Sequence, residues 1–298
     1  MAVVTPFDPW RGPLCTCPPK YSFSPYTGCG HACTYCYITA YVPRAFQPRP
    51  KKDIVGRLLR DLRRTDPGLH ISVANSSDPY TPPEDRLRLT RGALRALLGA
   101  GFRVQLVTKS DLVLRDLDLI RRGNCSVSVS VTMLDDALAG RLEPNAPPPS
   151  RRLEAVGRLV RGGVPCSVRV DPVIPGISDA GLEGLVEAVA RTGAGHVVAS
   201  TYKAKPDSFR RVTAAFPALR EKLSELYWGE GKRVQRAQYA PEETRREILL
   251  QLKGMVEERG MTYAVCREGL PGLRSGETCD GSHLIPVRRE TAARTDRL

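Results

Sequence analysis

Cys125-Ser-Val-Ser-Val-Ser-Val-Thr132 alternates between two kinds of side chain. Successive residues of a strand point to opposite faces, so Ser126, Ser128 and Ser130 share one face while Cys125, Val127, Val129 and Val131 share the other. Cys166-Ser-Val-Arg-Val-Asp171 repeats the pattern, setting Ser167, Arg169 and Asp171 against Cys166, Val168 and Val170. A parallel strand buried on both faces normally reads as an unbroken apolar run. One polar face therefore predicts a sheet that encloses a wet, functional interior and packs its other face under helices. Cys125 and Cys166 fall among the valines and read as structural.

Working outward, further strands are expected at 21–26, 69–74, 102–108 and 195–201, with the two above extending over 125–132 and 164–171. Helical patterns lie between them at 54–64, 87–98, 111–121, 151–161 and 179–191. Parallel strands need crossover connections, so this alternation predicts an α/β chain that forms either an open doubly wound sheet or a partial barrel. Proline-dense breaks fall at 43–50 and 143–150. Beyond residue 201 the pattern changes to longer helices at 207–227 and 241–259, a short strand at 262–265 and a Gly-rich tail. The expected organisation is an N-terminal segment 1–19, a barrel 20–205 and a helical, Cys-containing C-terminal extension 206–298.

With 298 residues, 41% of them hydrophobic, the chain has material for a large core and is not disordered along its length. It lacks the run of about 18 apolar residues that a membrane span needs. Its first ten residues lack the basic and apolar regions of a secretory signal. The expectation is an intracellular, cytoplasmic protein without a membrane partner. Lys and Arg outnumber Asp and Glu by 45 to 32, a net charge of +13 that favours phosphate-bearing partners. Basic clusters recur at Arg210-Arg211, Lys232-Arg233 with Arg236, and Arg245-Arg246; Tyr202, Lys203, Lys205, Tyr227 and Trp228 offer rings and cations for stacked bases.

Nine cysteines in a reducing compartment point to metal or redox chemistry rather than disulfides. Cys29-Gly-His-Ala-Cys33-Thr-Tyr-Cys36 follows the first expected strand. Soft thiolates suit iron–sulfur clusters. Three on one short loop hold three irons of a [4Fe–4S] cube and leave the fourth open; a zinc site usually calls for a second, distant pair. His31 in this loop reads as a loop-ordering residue, His70 and His196 as ordinary strand residues, and His283 as an outside candidate for a metal ligand.

The aromatic residue before the last cysteine of this triplet resembles the radical S-adenosylmethionine (SAM) superfamily. Ser24-Pro-Tyr-Thr-Gly-Cys-Gly-His-Ala-Cys-Thr-Tyr-Cys-Tyr37 is similar to the branch of spore photoproduct lyase and its DNA repair photolyase-like relatives. Ser77-Asp-Pro-Tyr80, Thr108-Lys-Ser110, Leu142-Glu-Pro144 and Asp171-Pro-Val-Ile-Pro-Gly176 extend the likeness over roughly residues 20–200. The resemblance implies a partial (β/α)6 TIM-like barrel in which a [4Fe–4S] cluster on Cys29, Cys33 and Cys36 cleaves SAM to a 5′-deoxyadenosyl radical. It implies a nucleic-acid substrate, DNA or RNA, for lesion repair or base modification, and an electron donor such as ferredoxin or flavodoxin. Two other readings stay open: modification of a peptide or small metabolite, and a non-catalytic iron–sulfur nucleic-acid binder. The implied SAM contacts are Tyr35 and Tyr37 beside the cluster, Ser77, Lys109, Ser130 and Arg169, with Val173 and Ile174 against the adenine. Lys109 also suits that place on its own account, as a cation at a strand end able to meet a carboxylate.

One departure matters. The lyase carries a hydrogen-donating cysteine just before its Ser-Asp pair, where Asn75 and Ser76 stand here. Amide and hydroxyl hydrogens are held too strongly to replace a thiol, so that route of photoproduct repair is not expected. Cys15-Thr-Cys17, Cys266 and Cys279 lie at opposite ends of the sequence; relatives in this branch carry similar segments, which makes the four a candidate auxiliary iron–sulfur or zinc site.

Overall fold

The computed structural model describes residues 2–7, 12, 14–73 and 76–287. Six strands run parallel, each hydrogen-bonded to the next: β1 (Tyr21–Phe23), β2 (Ile71–Val73), β3 (Val104–Thr108), β4 (Cys125–Ser130), β5 (Cys166–Val173) and β6 (His196–Thr201). Helices Ile54–Leu62, Leu89–Gly99, Pro149–Arg161 and Leu182–Arg191 make crossovers between them. The sheet draws on both flanking segments as well. β7 (Thr262–Val265), from the C-terminal extension, pairs parallel to β6, and Thr5–Pro6 pairs antiparallel to β1 at the other edge.

The alternation in β4 and β5 is realised in space. Cys125 and Cys166 are buried with Val127, Val129, Val168 and Val170 in the main core. On the opposite face Ser128 and Ser167 stand in register, and the Ser167 hydroxyl donates to Ser128 at 2.9 Å. The wet interior is confined to one end of this face: Ser130 and Arg169 border a cavity, whereas Ser126, Ser128 and Ser167 are covered and every residue of β4 is buried. The cover comes from far along the chain. Residues 276–284 fold across the N-terminal ends of the strands, where the Asp280 carbonyl accepts from Gln105 at 2.6 Å and the His283 ring meets His196 at 5.0 Å. Gly281 holds a positive φ of 77° and lies so close that a Cβ there would stand 3.0 Å from the Ser167 hydroxyl. Lys20, just before β1, completes the floor with a buried ion pair to Asp280 at 2.5 Å.

The long helix expected over 207–227 is broken. Pro206–Ala215 ends before Pro217, where the chain re-enters through a short turn into Arg220–Ser224 and a wide π turn, Glu225–Gly229. Lys232–Val234 and Ala237–Tyr239 then form a hairpin that also pairs with Lys203–Ala204. A second, smaller core lies beneath the cysteine loop and joins Cys33, Tyr35, Ile174, Tyr202 and Tyr227. Among the described residues no helix is long and apolar enough to cross a membrane.

Two buried histidines make the fold acid-sensitive. Burial pushes His70 and His196 down to about 4. Unfolded, each binds a proton near pH 6.5, so between that value and about 4 the unfolded chain holds the extra protons. Stability is therefore complete above pH 6.5 and falls as the pH drops, by about 1.4 kcal/mol per unit for each ring at most. The urea midpoint is expected to fall between pH 7 and 4.5, with a flatter profile for His70→Gln. An identical profile in that variant would contradict this account.

Candidate functional site

The C-terminal ends of β1–β6 surround a cavity of about 1400 Å³. Ligand sites of parallel β/α folds sit at this end because the loops there are free to vary. Drug-sized sites reach roughly 1,000 Å³, so this volume suits more than one small molecule. Cys29, Cys33 and Cys36 all line it.

Backbone contacts hold their loop. Cys29 N–H donates to the Ala45 carbonyl at 2.7 Å and Thr34 N–H to the Leu142 carbonyl at 2.7 Å. Gly28, with φ of 82°, passes the Ala45 carbonyl too closely for any Cβ. From helix Pro206–Ala215, Arg211 donates to the carbonyls of Thr34 at 3.0 Å and Cys36 at 2.8 Å. A cation that the sequence presented as part of a surface cluster thus ties the extension to the loop. His31 lies 3.3 Å from the Asp78 carboxylate, which also accepts from Lys109 N–H and the Thr108 hydroxyl, both at 2.7 Å. Burial alone would raise the Asp78 pKa, but these partners hold it below the usual carboxylate range.

Burial pushes all three thiols up, Cys29 to about 12 and Cys33 well above its ordinary value. Binding a metal there must displace protons. Three thiolates on different corners of a cube need not meet at a point, and among the described residues no three His, Cys, Asp or Glu side chains converge on a single ion.

Around the triplet the expected contact residues divide. Tyr35, Tyr37, Ser77, Lys109, Ser130 and Arg169 all line the cavity. Tyr35 is buried and donates its hydroxyl to Glu143, whereas Tyr37 is half-exposed, its ring 6.2 Å from Tyr41. Ser77 donates to the Tyr26 carbonyl at 3.0 Å. Arg169 reaches Asp171 at 2.7 Å. Val173 and Ile174 do not line the cavity; both are fully buried, one in each core. Their apolar side chains point into packing, which the Pro-Val-Ile-Pro run alone does not reveal.

Two acidic residues have buried partners that their sequence motifs did not reveal. Glu143, inside a proline-rich break, is completely buried and paired with Arg152 at 2.5 Å. Glu268 is likewise buried and joins Lys203 at 2.7 Å to Arg245 at 2.8 Å, so Arg245 serves the interior rather than a surface cluster. The four outlying thiols reach the same cavity. Cys17 and Cys279 lie 3.6 Å apart with Cys15 adjoining, while Cys266 contacts Arg169. The contact with Cys17 holds the Cys279 thiol below its ordinary value.

The rim is cationic. Lys205, Arg210, Arg233, Arg236 and Arg267 line the opening, three of them beside or on the hairpin turn. Among the described residues Lys205, Arg233 and Arg236 have no carboxylate partner; burial, then the charges of Arg267 and Arg236, lower the Lys205 pKa. Tyr227 offers no face to a base, because it is fully buried against Tyr202.

The model of the radical SAM superfamily matches residues 23–189. An uncharacterized protein of Mycobacterium tuberculosis is 31% identical over 193 residues, 59% of this chain and 57% of that protein. The radical SAM Nalpha-GlyT isomerase of Pseudomonas phage M6 is 26% identical over 266 residues, 83% of this chain and 54% of that protein. The chain thus spans little more than half the length of these curated relatives. Spore photoproduct lyase complexed with dinucleoside spore photoproduct superposes with a TM-score of 0.61 at 20% identity, over 82% of this chain and 75% of that one. Streptococcus suis SuiB bound to precursor peptide SuiA gives 0.56 at 14% identity, over 82% of this chain and 48% of that one. At these identities the likeness is one of fold.

Proposed function

Because the chain belongs to the radical SAM superfamily, we propose that it binds a [4Fe–4S] cluster through Cys29, Cys33 and Cys36 and acts with SAM on a nucleic acid. When bound, cluster and SAM supply a carbon radical that takes hydrogen from a substrate. The chain's own residues do the rest. The loop presents three soft thiols on the cavity wall, and Lys109 offers an ammonium for the SAM carboxylate. Tyr37, Ser77, Ser130 and Arg169 supply further polar contacts, and the covered floor keeps water from the reacting atoms. A small electron-donor protein such as ferredoxin or flavodoxin provides the electron.

The observation that carries the substrate class is the cationic rim. Cations without carboxylate partners around one opening suit a phosphodiester chain drawn across it. In a binding titration against salt, DNA or RNA is expected to bind more weakly as salt rises. Replacing Arg233 and Arg236 together by alanine is expected to weaken binding and to flatten the log–log slope by about 1 per lost phosphate contact. No binding at low salt, or deoxyadenosine release stimulated by peptide pools instead, would overturn this reading.

A second reading concerns the reaction. A rearrangement without hydrogen donation from the protein is favoured by Asn75 and Ser76, which stand where the lyase carries its donor cysteine. The name of the phage isomerase agrees with it. Under that reading substrate and product have equal mass.

A further inference from the structure

Glu143 gathers more partners than a loop residue needs. The Tyr35 hydroxyl donates to it from the cysteine loop, and the Thr132 hydroxyl donates at 3.1 Å from the end of β4. Arg152 reaches it at 2.5 Å, and Lys109 stands 3.9 Å away with its side chain on the cavity wall. Arg152 is itself 1% exposed and is anchored by the Ser130 and Pro147 carbonyls. One anion thus lies between two cations, completely out of water.

The carboxylate is charged despite its surroundings. Burial opposes the charge, but Lys109 and Arg152 outweigh it and hold the Glu143 pKa below its usual range. Its field reaches the loop that carries Cys33, because the Tyr35 hydroxyl donates to Glu143 and Thr34 N–H donates to the adjoining Leu142 carbonyl at 2.7 Å. Away from water such a field is weakly screened. Reducing an iron–sulfur cluster adds one negative charge to it, and a fixed neighbouring anion opposes that addition while a cation favours it.

We propose that Glu143 is a positioning and tuning residue whose buried negative charge, held against the cysteine loop through Tyr35, makes a cluster on that loop hard to reduce. Lys109, on the cavity side, acts in the opposite sense. A hard-to-reduce cluster is a strong electron donor once reduced, which suits a demanding bond cleavage. This rests on the reading that Cys29, Cys33 and Cys36 hold a cluster, and it is independent of the substrate.

The test is an anaerobic redox titration of the reconstituted protein, followed by electron paramagnetic resonance, without SAM or nucleic acid. Glu143→Gln keeps the shape and removes the charge. At a fixed solution potential its reduced-to-oxidised ratio is expected to rise roughly tenfold, a shift of about 59 mV for one electron. Glu143→Asp withdraws the charge without removing it and should shift the same way by less. Lys109→Met should shift the opposite way. Should Gln, which leaves Arg152 buried without its partner, unfold the protein, the Asp variant, which keeps that partner, decides. A glutamate variant that loads its full iron and keeps the wild-type potential overturns the proposal. A wild-type protein that loads no iron overturns the functional reading instead.

Discussion

Alanine at Cys29, Cys33 or Cys36 is expected to abolish the visible iron–sulfur absorbance and all SAM cleavage. In the proposed cluster each thiolate would hold a separate iron, so two remaining thiolates would leave a second corner of the cube without a protein ligand. The loop itself should survive, since its backbone is tied to Ala45, Leu142 and Arg211 rather than to the sulfurs. A near-wild-type circular dichroism spectrum and thermal midpoint should therefore accompany the loss. Cys125→Ala and Cys166→Ala are the contrasting pair. Both sit among valines behind the sheet, so they should cost some stability through the small cavity left and keep the absorbance. Retained SAM cleavage in any triplet variant would refute the assignment.

The largest effect on stability is expected at the floor. Asp280→Ala strands the Lys20 ammonium, whose side chain is 3% exposed. Breaking a buried pair from one side costs on the order of 3–5 kcal/mol. In a chain of this size that corresponds to a fall of roughly 10 °C in the thermal midpoint. Replacing both partners, Lys20→Met with Asp280→Leu, should recover much of the loss, because no charge is then left without a partner. The pH dependence supplies a second check. Burial opposes the Asp280 charge, but Lys20 prevails and depresses its pKa, so its share of stability is present above about 3.9 and fades as pH falls through the lower folded value. Lys20 is raised by Asp280 against its burial, so its share is present below about 10.4 and fades as pH rises through the higher folded value. The double variant should lose both dependences. Equal stability of Asp280→Ala and wild type would remove the floor from this account.

Much of this was legible in the residues, and the exceptions have physical reasons. Strand periodicity is local, so β4, β5 and β7 could be read directly, and the cysteine loop carries its chemistry in its spacing. What covers the polar faces of β3 and β4 is a segment far along the chain, where Asp280 meets Gln105 from 175 positions away, and no local pattern encodes it. The hairpin escaped notice because Lys232–Val234 and Ala237–Tyr239 are three residues each and turn through Gln235 in a left-handed conformation without a glycine. Glu143 stood in Leu142-Glu-Pro144, a motif that pointed to a family but not to a buried charge set between two cations. Arg211 and Arg245 counted as surface cations until the carbonyls and carboxylate they serve came within reach of them.

Synthesis runs from the amino end, so the thiol loop leaves the ribosome long before the residues around Asp280. Until that late segment docks, the vessel has no bottom, and dissolved oxygen has a second way in. Iron delivered to a half-made chain would stand exposed to it. Insertion of the proposed cluster is therefore expected only after translation has passed the seal.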